Sequence, residues 1–254
     1  MSSNTPLITV ITPAYNAARF IAETISSVQK QTYTNWEHLV VIDCNSKDNT
    51  DQIVQDIATF DPRVKCVKSP EAYGAAQNRN VGLKLAQGEF IAFIDADDLW
   101  HPNKLSKQIN FMMQKGVDFS YTGFTRISED GNHLGSYLSV PEKLNYTFLL
   151  KDNRIGCLTA VIRKNAYTDV NFQNDGWEDL SLWLKLLKQK PFAYGINESL
   201  AFYRIVNGSR SNNKFFSAKL KWNTFRKVEK MNLLKSIYYF LFYAISGLKK
   251  HKQF

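Results

Sequence analysis

The 254-residue chain is 44% hydrophobic and 13% aromatic, enough for one large domain with a full core. Its net charge of +9 lies at one end: residues 214–254 carry ten Lys or Arg against the single acid Glu229, while residues 1–213 balance at 22 of each sign. The N-terminus has no basic patch followed by an apolar stretch, no uncharged run approaches the ~20 residues that a span requires, and Cys44, Cys66 and Cys157 are scattered; these features exclude secreted, integral-membrane and zinc-motif classes and lead us to expect a protein of the reducing cytosol.

In chain order, Leu7 to Thr12 (LITVIT) reads as a strand, Phe20 to Lys30 as an amphipathic helix and Glu37 to Ile42 as a second strand. Asn49 to Phe60 is helical, Val64 to Lys68 a short strand, Tyr73 to Ala86 helical, and Glu89 to Ile94 (EFIAFI) a strongly apolar strand. Strands alternating with helices predict a mostly parallel sheet covered on both faces, with ligands at the carboxyl ends of the strands. The rhythm then changes. A helix from Asn103 to Lys115 leads to strands at Val117 to Phe124 and Gly156 to Ile162, which should extend the sheet as a mixed edge, and Asp179 to Gln189 is a helix with Leu180, Trp183, Leu184 and Leu187 on one face. Two further helices, around Phe215 to Met231 and from Leu233 to Leu248, fill the basic end. The organisation expected is a catalytic α/β domain over residues 1–213 and a basic, amphipathic helical region over 214–254.

The sharpest chemical signal is Asp95-Ala96-Asp97-Asp98, directly after the apolar strand. Carboxylates this close repel one another, and a divalent cation is the usual reason to keep them ionised together. Oxygen-only ligands suit Mg²⁺ or Mn²⁺; the alternative is that Asp97 or Asp98 caps the following helix. Pro13-Ala14-Tyr15-Asn16 and Asp43-Cys44-Asn45-Ser46 also follow strands, and Asp43 is placed to accept from a nucleobase N–H or ribose hydroxyl, although Asn, Asp and Ser are ordinary turn residues. Arg79 is either a phosphate contact or a solvated surface cation. Glu178 and Asp179 open the Leu/Trp-faced helix, as favourable first-turn acids or with one of them serving as a general base.

In this order and spacing, TVITPAYN, DCNSKDNT, RNVGLKLAQGEFIAFIDADDLW and GWEDLSLWLKL resemble the successive signatures of the family 2 glycosyltransferases of bacterial polysaccharide synthesis, with the GT-A fold, over roughly residues 6–211. The resemblance implies a nucleotide pocket lined by Pro13, Tyr15, Asp43, Asp95 and Ala96, with Arg79 near the donor phosphates. It implies a D-x-D of Asp95 and Asp97, with Asp98 beside it, holding Mn²⁺ or Mg²⁺, and Asp179 as the catalytic base, with Glu178 beside it in the catalytic pair. The implied chemistry is single-displacement, inverting transfer from a nucleoside diphosphate sugar, UDP favoured, to a hydroxyl of a glycan or lipid-linked acceptor. Two departures stand out. Cys44 replaces the second acid of the usual Asp-Asp-Gly-Ser, and Val206 stands where many members have His, so Arg204, Ser209 or Arg210 would have to supply that diphosphate contact.

The same residues fit the needs of the reaction: charge on the leaving diphosphate needs a counter-cation, and a hydroxyl needs a base. The run from Ile237 to Leu248 (IYYFLFYAISGL), flanked by Lys235 and by Lys249, Lys250 and Lys252, suits a helix lying on an anionic membrane surface, or one packed on the domain or in a dimer. Nucleic acid is not expected as a partner, since no binding motif accompanies the charge. The rival classes are a sugar nucleotidyltransferase, whose Gly-rich loop is replaced here by PAYNAARF, and a non-catalytic subunit that binds nucleotide sugars.

Overall fold

The computed structural model describes residues 5–206 and 214–251. Its first half follows the strand–helix alternation: β1 (Ile8–Ala14), α1 (Ile21–Gln29), β2 (Trp36–Ile42), α2 (Thr50–Phe60), β3 (Val64–Lys68), α3 (Gly74–Leu85) and β4 (Phe90–Phe93). Every residue of β1, β2 and β4 is buried, as expected of parallel strands with helices on both faces. These strands run parallel in the order β3-β2-β1-β4, with Ile8 paired to both Trp36 and Phe90.

The second half comprises β5 (Leu99–Trp100), α4 (Lys104–Lys115), β6 (Phe119–Ile127), β7 (Leu134–Leu138), β8 (Lys143–Leu144), α5 (Tyr146–Lys151), β9 (Val161–Arg163), α6 (Glu178–Gln189) and β10 (Ala193–Arg204). The sheet continues as β4-β9-β6-β10-β5, with β9 antiparallel to both neighbours and β10 parallel to β6. The strand expected over Gly156 to Ile162 is therefore a correction. Thr159 donates both its amide (2.9 Å) and its hydroxyl (2.7 Å) to the Gly156 carbonyl, winding Cys157–Thr159 into a 3₁₀ turn, so only the three-residue β9 remains and sits inside the sheet.

Two apolar layers flank the sheet. On one face, Ile21, Val28, Trp36, Leu105 and Met112 from α1, β2 and α4 pack together. On the other, an aromatic cluster forms around Trp183 of α6: its ring lies 5.2 Å from Phe119, and Phe93 meets Phe172 edge-on at 5.2 Å. The basic end forms α7 (Lys214–Asn223), a π-helical turn (Thr224–Val228) and α8 (Leu233–His251), two helices broken near Met231 as the sequence suggested. Phe225 is fully buried in the α6-side core, and Tyr239 and Phe240 of α8 pack against it. Among the described residues no helix is long and apolar enough to cross a membrane.

Candidate active site

The carboxyl ends of β1, β2 and β4 open onto a cleft of about 1000 Å³, closed on its far side by residues 156–158, the start of α6 and α7. Pro13, Tyr15, Asp43, Arg79, Asp95, Ala96, Asp97, Glu178 and Asp179 all line this one cleft, although they span 167 positions of sequence.

The loops after β1 and β2 are laced together. Asn16 takes a left-handed backbone (φ 46°), which Asn tolerates better than most residues; its amide donates to Ser46 Oγ and its Oδ1 accepts from the Lys47 amide, both at 2.8 Å. Tyr15 is thereby presented to solvent, 58% exposed, at the cleft. Asp43 is buried at the floor. Its Oδ1 accepts from the Asn45 amide, and its Oδ2 from the Gly74 amide and Asn78 Nδ2, each at 3.0 Å. Burial pushes its carboxyl up, but these donors outweigh burial and hold it below the ordinary value. Gly74 presents that amide from φ +70°, where any other residue would be strained. Cys44 is exposed and is not among the residues that line the cleft.

The acidic cluster divides in two. Asp95 and Asp97 line the cleft, whereas Asp98 is 1% exposed and faces inward, its Oδ1 accepting the Arg204 amide at 2.9 Å. The structure thus places Asp98 outside the ligand position expected of it, because Arg204 and Thr24 hold the loop: Thr24 Oγ1 donates to the Ala96 and Asp98 carbonyls (2.9 Å each), and Arg204 Nε donates to the Asp97 carbonyl at 2.7 Å. Arg204 spends its other nitrogens on the Glu129 carbonyl and on Glu23, 2.8 and 2.7 Å away, and so braces the loop instead of offering its guanidinium to a diphosphate. Ser209 and Arg210 lie outside the described residues; Val206 lines the cleft.

Burial and the neighbouring Asp95 push the Asp97 carboxyl up to about 6. Among the described residues no three His, Cys, Asp or Glu side chains converge as a metal cage. Asp95 and Asp97 form an oxygen-only pair whose charges repel each other across the cleft wall. Such a donor set fits a hard cation that takes its remaining ligands from phosphate and water.

Arg79, expected near phosphate or in solvent, is 4% exposed and joins the two acidic regions: Nη2 lies 2.5 Å from Asp95 Oδ1 and Nη1 3.4 Å from Glu178 Oε1, with the guanidinium 5.2 Å over the Phe172 ring. Burial opposes its charge, but Asp95 above all, and Glu178, hold it protonated. Asp179 Oδ1 accepts its neighbour Leu180's amide at 2.7 Å; burial, then the Glu178 charge, push its carboxyl up to about 6. A carboxylate with this affinity for a proton suits general-base work near neutral pH.

Sequence reasoning missed the far wall. Gly176 stands at φ +86°, and a Cβ there would come within 2.6 Å of Leu220 Cδ2 in α7, so α7 packs directly on the segment that carries Glu178 and Asp179. Ser217 and Leu220 line the cleft, and Trp177 meets Tyr243 of α8 edge-on at 5.8 Å. The only sequence signal was the aromatic density of the tail, which carries no reacting group.

Comparison with known proteins gives a consistent result. Residues 9–169 match the family described as Glycosyl transferase family 2. The chain is 41% identical to TuaG of Bacillus subtilis (strain 168), whose name assigns it to teichuronic acid biosynthesis, covering 98% of this chain and 99% of that one. It is 40% identical to WfgD of Escherichia coli, a UDP-Glc:alpha-D-GlcNAc-diphosphoundecaprenol beta-1,3-glucosyltransferase, over 96% of this chain and 95% of that one. Among solved structures, S. aureus TarS 1–349 in complex with UDP-GlcNAc superposes with a TM-score of 0.73 at 19% identity, covering 93% of this chain and 71% of that one. The mannosyltransferase PcManGT of Pyrobaculum calidifontis, in complex with GDP-Man and Mn²⁺, gives 0.70 at 20% identity, covering 91% and 66%. At these identities the two structures speak for the fold alone.

Proposed function

We propose that this chain, which belongs to glycosyl transferase family 2 and has the GT-A fold, transfers a sugar from a nucleoside diphosphate donor, UDP favoured, to a hydroxyl of a lipid-linked glycan acceptor with inversion. Residues 1–213 form the catalytic body and 214–254 a helical region that completes the acceptor side. The observation that carries this is Arg79, one buried cation reaching from the donor-side Asp95 to the acceptor-side Glu178 across a single cleft. The acceptor class is supported by WfgD, which acts on a diphosphoundecaprenol-linked sugar.

In the mechanism, Tyr15 flanks the nucleoside at the mouth and Asp43, fixed by its three donors, faces it from the floor. Asp95 and Asp97 would hold Mn²⁺ or Mg²⁺, which offsets the charge that builds on the departing diphosphate. Asp179 Oδ1 is taken by the Leu180 amide, so Oδ2 receives the acceptor hydroxyl proton. The hydroxyl oxygen bonds to the anomeric carbon from the face opposite the diphosphate, the bond to the diphosphate oxygen breaks, and the nucleoside diphosphate leaves with that electron pair. Glu178, paired with Arg79, lies beside Asp179 and raises its basicity.

The test is nucleoside diphosphate release from a panel of nucleotide sugars, with a polyprenyl-diphosphate sugar as acceptor, with and without chelator. Release that requires one donor, the acceptor and a divalent cation is expected. Equal release with chelator overturns the metal assignment, and release of pyrophosphate instead would make the protein a nucleotidyltransferase.

A further inference from the structure

We propose that the outer face of α8 docks, lying in plane, on an anionic lipid surface. The proposal leans on the transfer reaction above only for the reason a lipid would be present; the face itself is defined by packing and charge. Leu234, Ile237, Tyr238, Leu241, Phe242 and Ile245 recur at the spacing of one helical stripe, and each is 37–79% exposed. The opposite face is used up: Ser236 is buried, Phe240 meets Trp222 edge-on at 5.6 Å and Tyr243 meets Trp177. The helix is thus held to the body by one side while a full apolar stripe faces water. Lys151 of α5 lays its ammonium over the rings of Phe242 (4.6 Å) and Tyr238 (5.7 Å), so a cation from the body borders the stripe.

Charge selects the occupant. Arg226, Lys227, Lys230 and Lys235 are exposed at the start of this region, and the sequence places Lys249 and Lys250 in the last turn of α8. The one acid beyond residue 213, Glu229, is turned inward, its side chain 3% exposed and paired with Lys188 at 2.6 Å and with the Tyr146 hydroxyl. A second copy laid on this stripe would bring together two like basic regions, each with ten cations against one acid. An acidic headgroup layer meets them with opposite charge, and the apolar stripe enters the boundary beneath. α7 supplies Ser217 and Leu220 to the cleft and packs on α8, so the docking face and the acceptor wall belong to one two-helix unit.

The experiment is co-sedimentation of the full chain with phosphatidylcholine vesicles, with and without phosphatidylglycerol, beside light-scattering mass without lipid. The wild-type chain should bind the anionic vesicles, weaken but persist in high salt, and scatter as a monomer. Leu241→Glu, and independently Lys227→Glu with Lys235→Glu, should each lower anionic-vesicle binding by about tenfold, with nucleoside diphosphate release to a detergent-soluble acceptor unchanged. No binding to either vesicle overturns the proposal. So does a dimer that Leu241→Glu dissociates, since a second copy would then be the occupant. Vesicle binding by a chain that transfers no sugar from any donor would sink the transfer assignment alone and leave the docking face supported.

Discussion

The two walls of the cleft are built on different principles. The donor wall consists of loops at the ends of parallel strands, locked to one another by hydrogen bonds between backbone amides and polar side chains: Asn16 to Ser46 and Lys47, Ala17 to Thr50, Asp43 to Gly74. The acceptor wall is gathered from segments far apart in sequence, the 3₁₀ turn at Cys157, the Gly176–Asp179 corner and α7, joined by side-chain packing of Leu220 on Gly176 and Tyr243 on Trp177. A hydrogen-bonded loop tolerates little change, whereas a packed wall admits substitution by shape.

Asp179→Asn separates the walls most sharply. It should cut turnover by about two to four orders of magnitude, the usual cost of a lost general base, and leave nucleoside diphosphate affinity intact by calorimetry. A variant that retains a tenth of wild-type turnover would reduce Asp179 to a first-turn acid. Asp97→Asn acts on the opposite wall and should abolish the Mn²⁺ enhancement of nucleoside diphosphate binding; equal enhancement in variant and wild type would remove Asp97 from the metal site.

The pH profile gives a smaller, graded effect. A base held at about 6 works only when deprotonated, so kcat/KM should fall about tenfold per unit below that pH, and the limb should vanish from the residual activity of Asp179→Asn. Smallest is Gly176→Ala, which forces a side chain into the left-handed region against Leu220. It should cost about 1–2 kcal/mol in thermal unfolding and raise the acceptor KM with donor affinity unchanged. A raised donor Kd would mean that the walls are not independent.

The same contrast governs what could be read in the sequence. β1, β2 and β4 and the helices between them were legible because these buried strands are rich in apolar and β-branched residues and bounded by turn residues, and the donor-side candidates were legible because such strands deliver their following loops to one edge. β10, the longest strand, was missed altogether: Gly195, Asn197 and Glu198 interrupt its apolar pattern, and its pairing with β6 shifts register between Ile196 and Ala201, so no simple alternation survives. Asp98 looked equivalent to Asp95 and Asp97 because spacing does not report which carboxylate an amide 106 residues away will claim. Arg79 was legible as a candidate but its ion pairs were not, since its partners Asp95 and Glu178 come from the loop after β4 and from the start of α6. Ser217 and Leu220 carried no signal, being ordinary residues made part of the wall only by the packing of α7.

Arg79 has a practical bearing on anyone who would transplant this site. A designer copying the reactive groups to another scaffold would take the aspartates and Glu178 and omit a side chain hidden beneath them. The grafted carboxylates would then crowd one another without a counter-ion, and the scaffold would answer by splaying them apart or by taking up protons at neutral pH. The smallest portable unit of this cleft therefore includes the buried cation that ties its two acidic regions together.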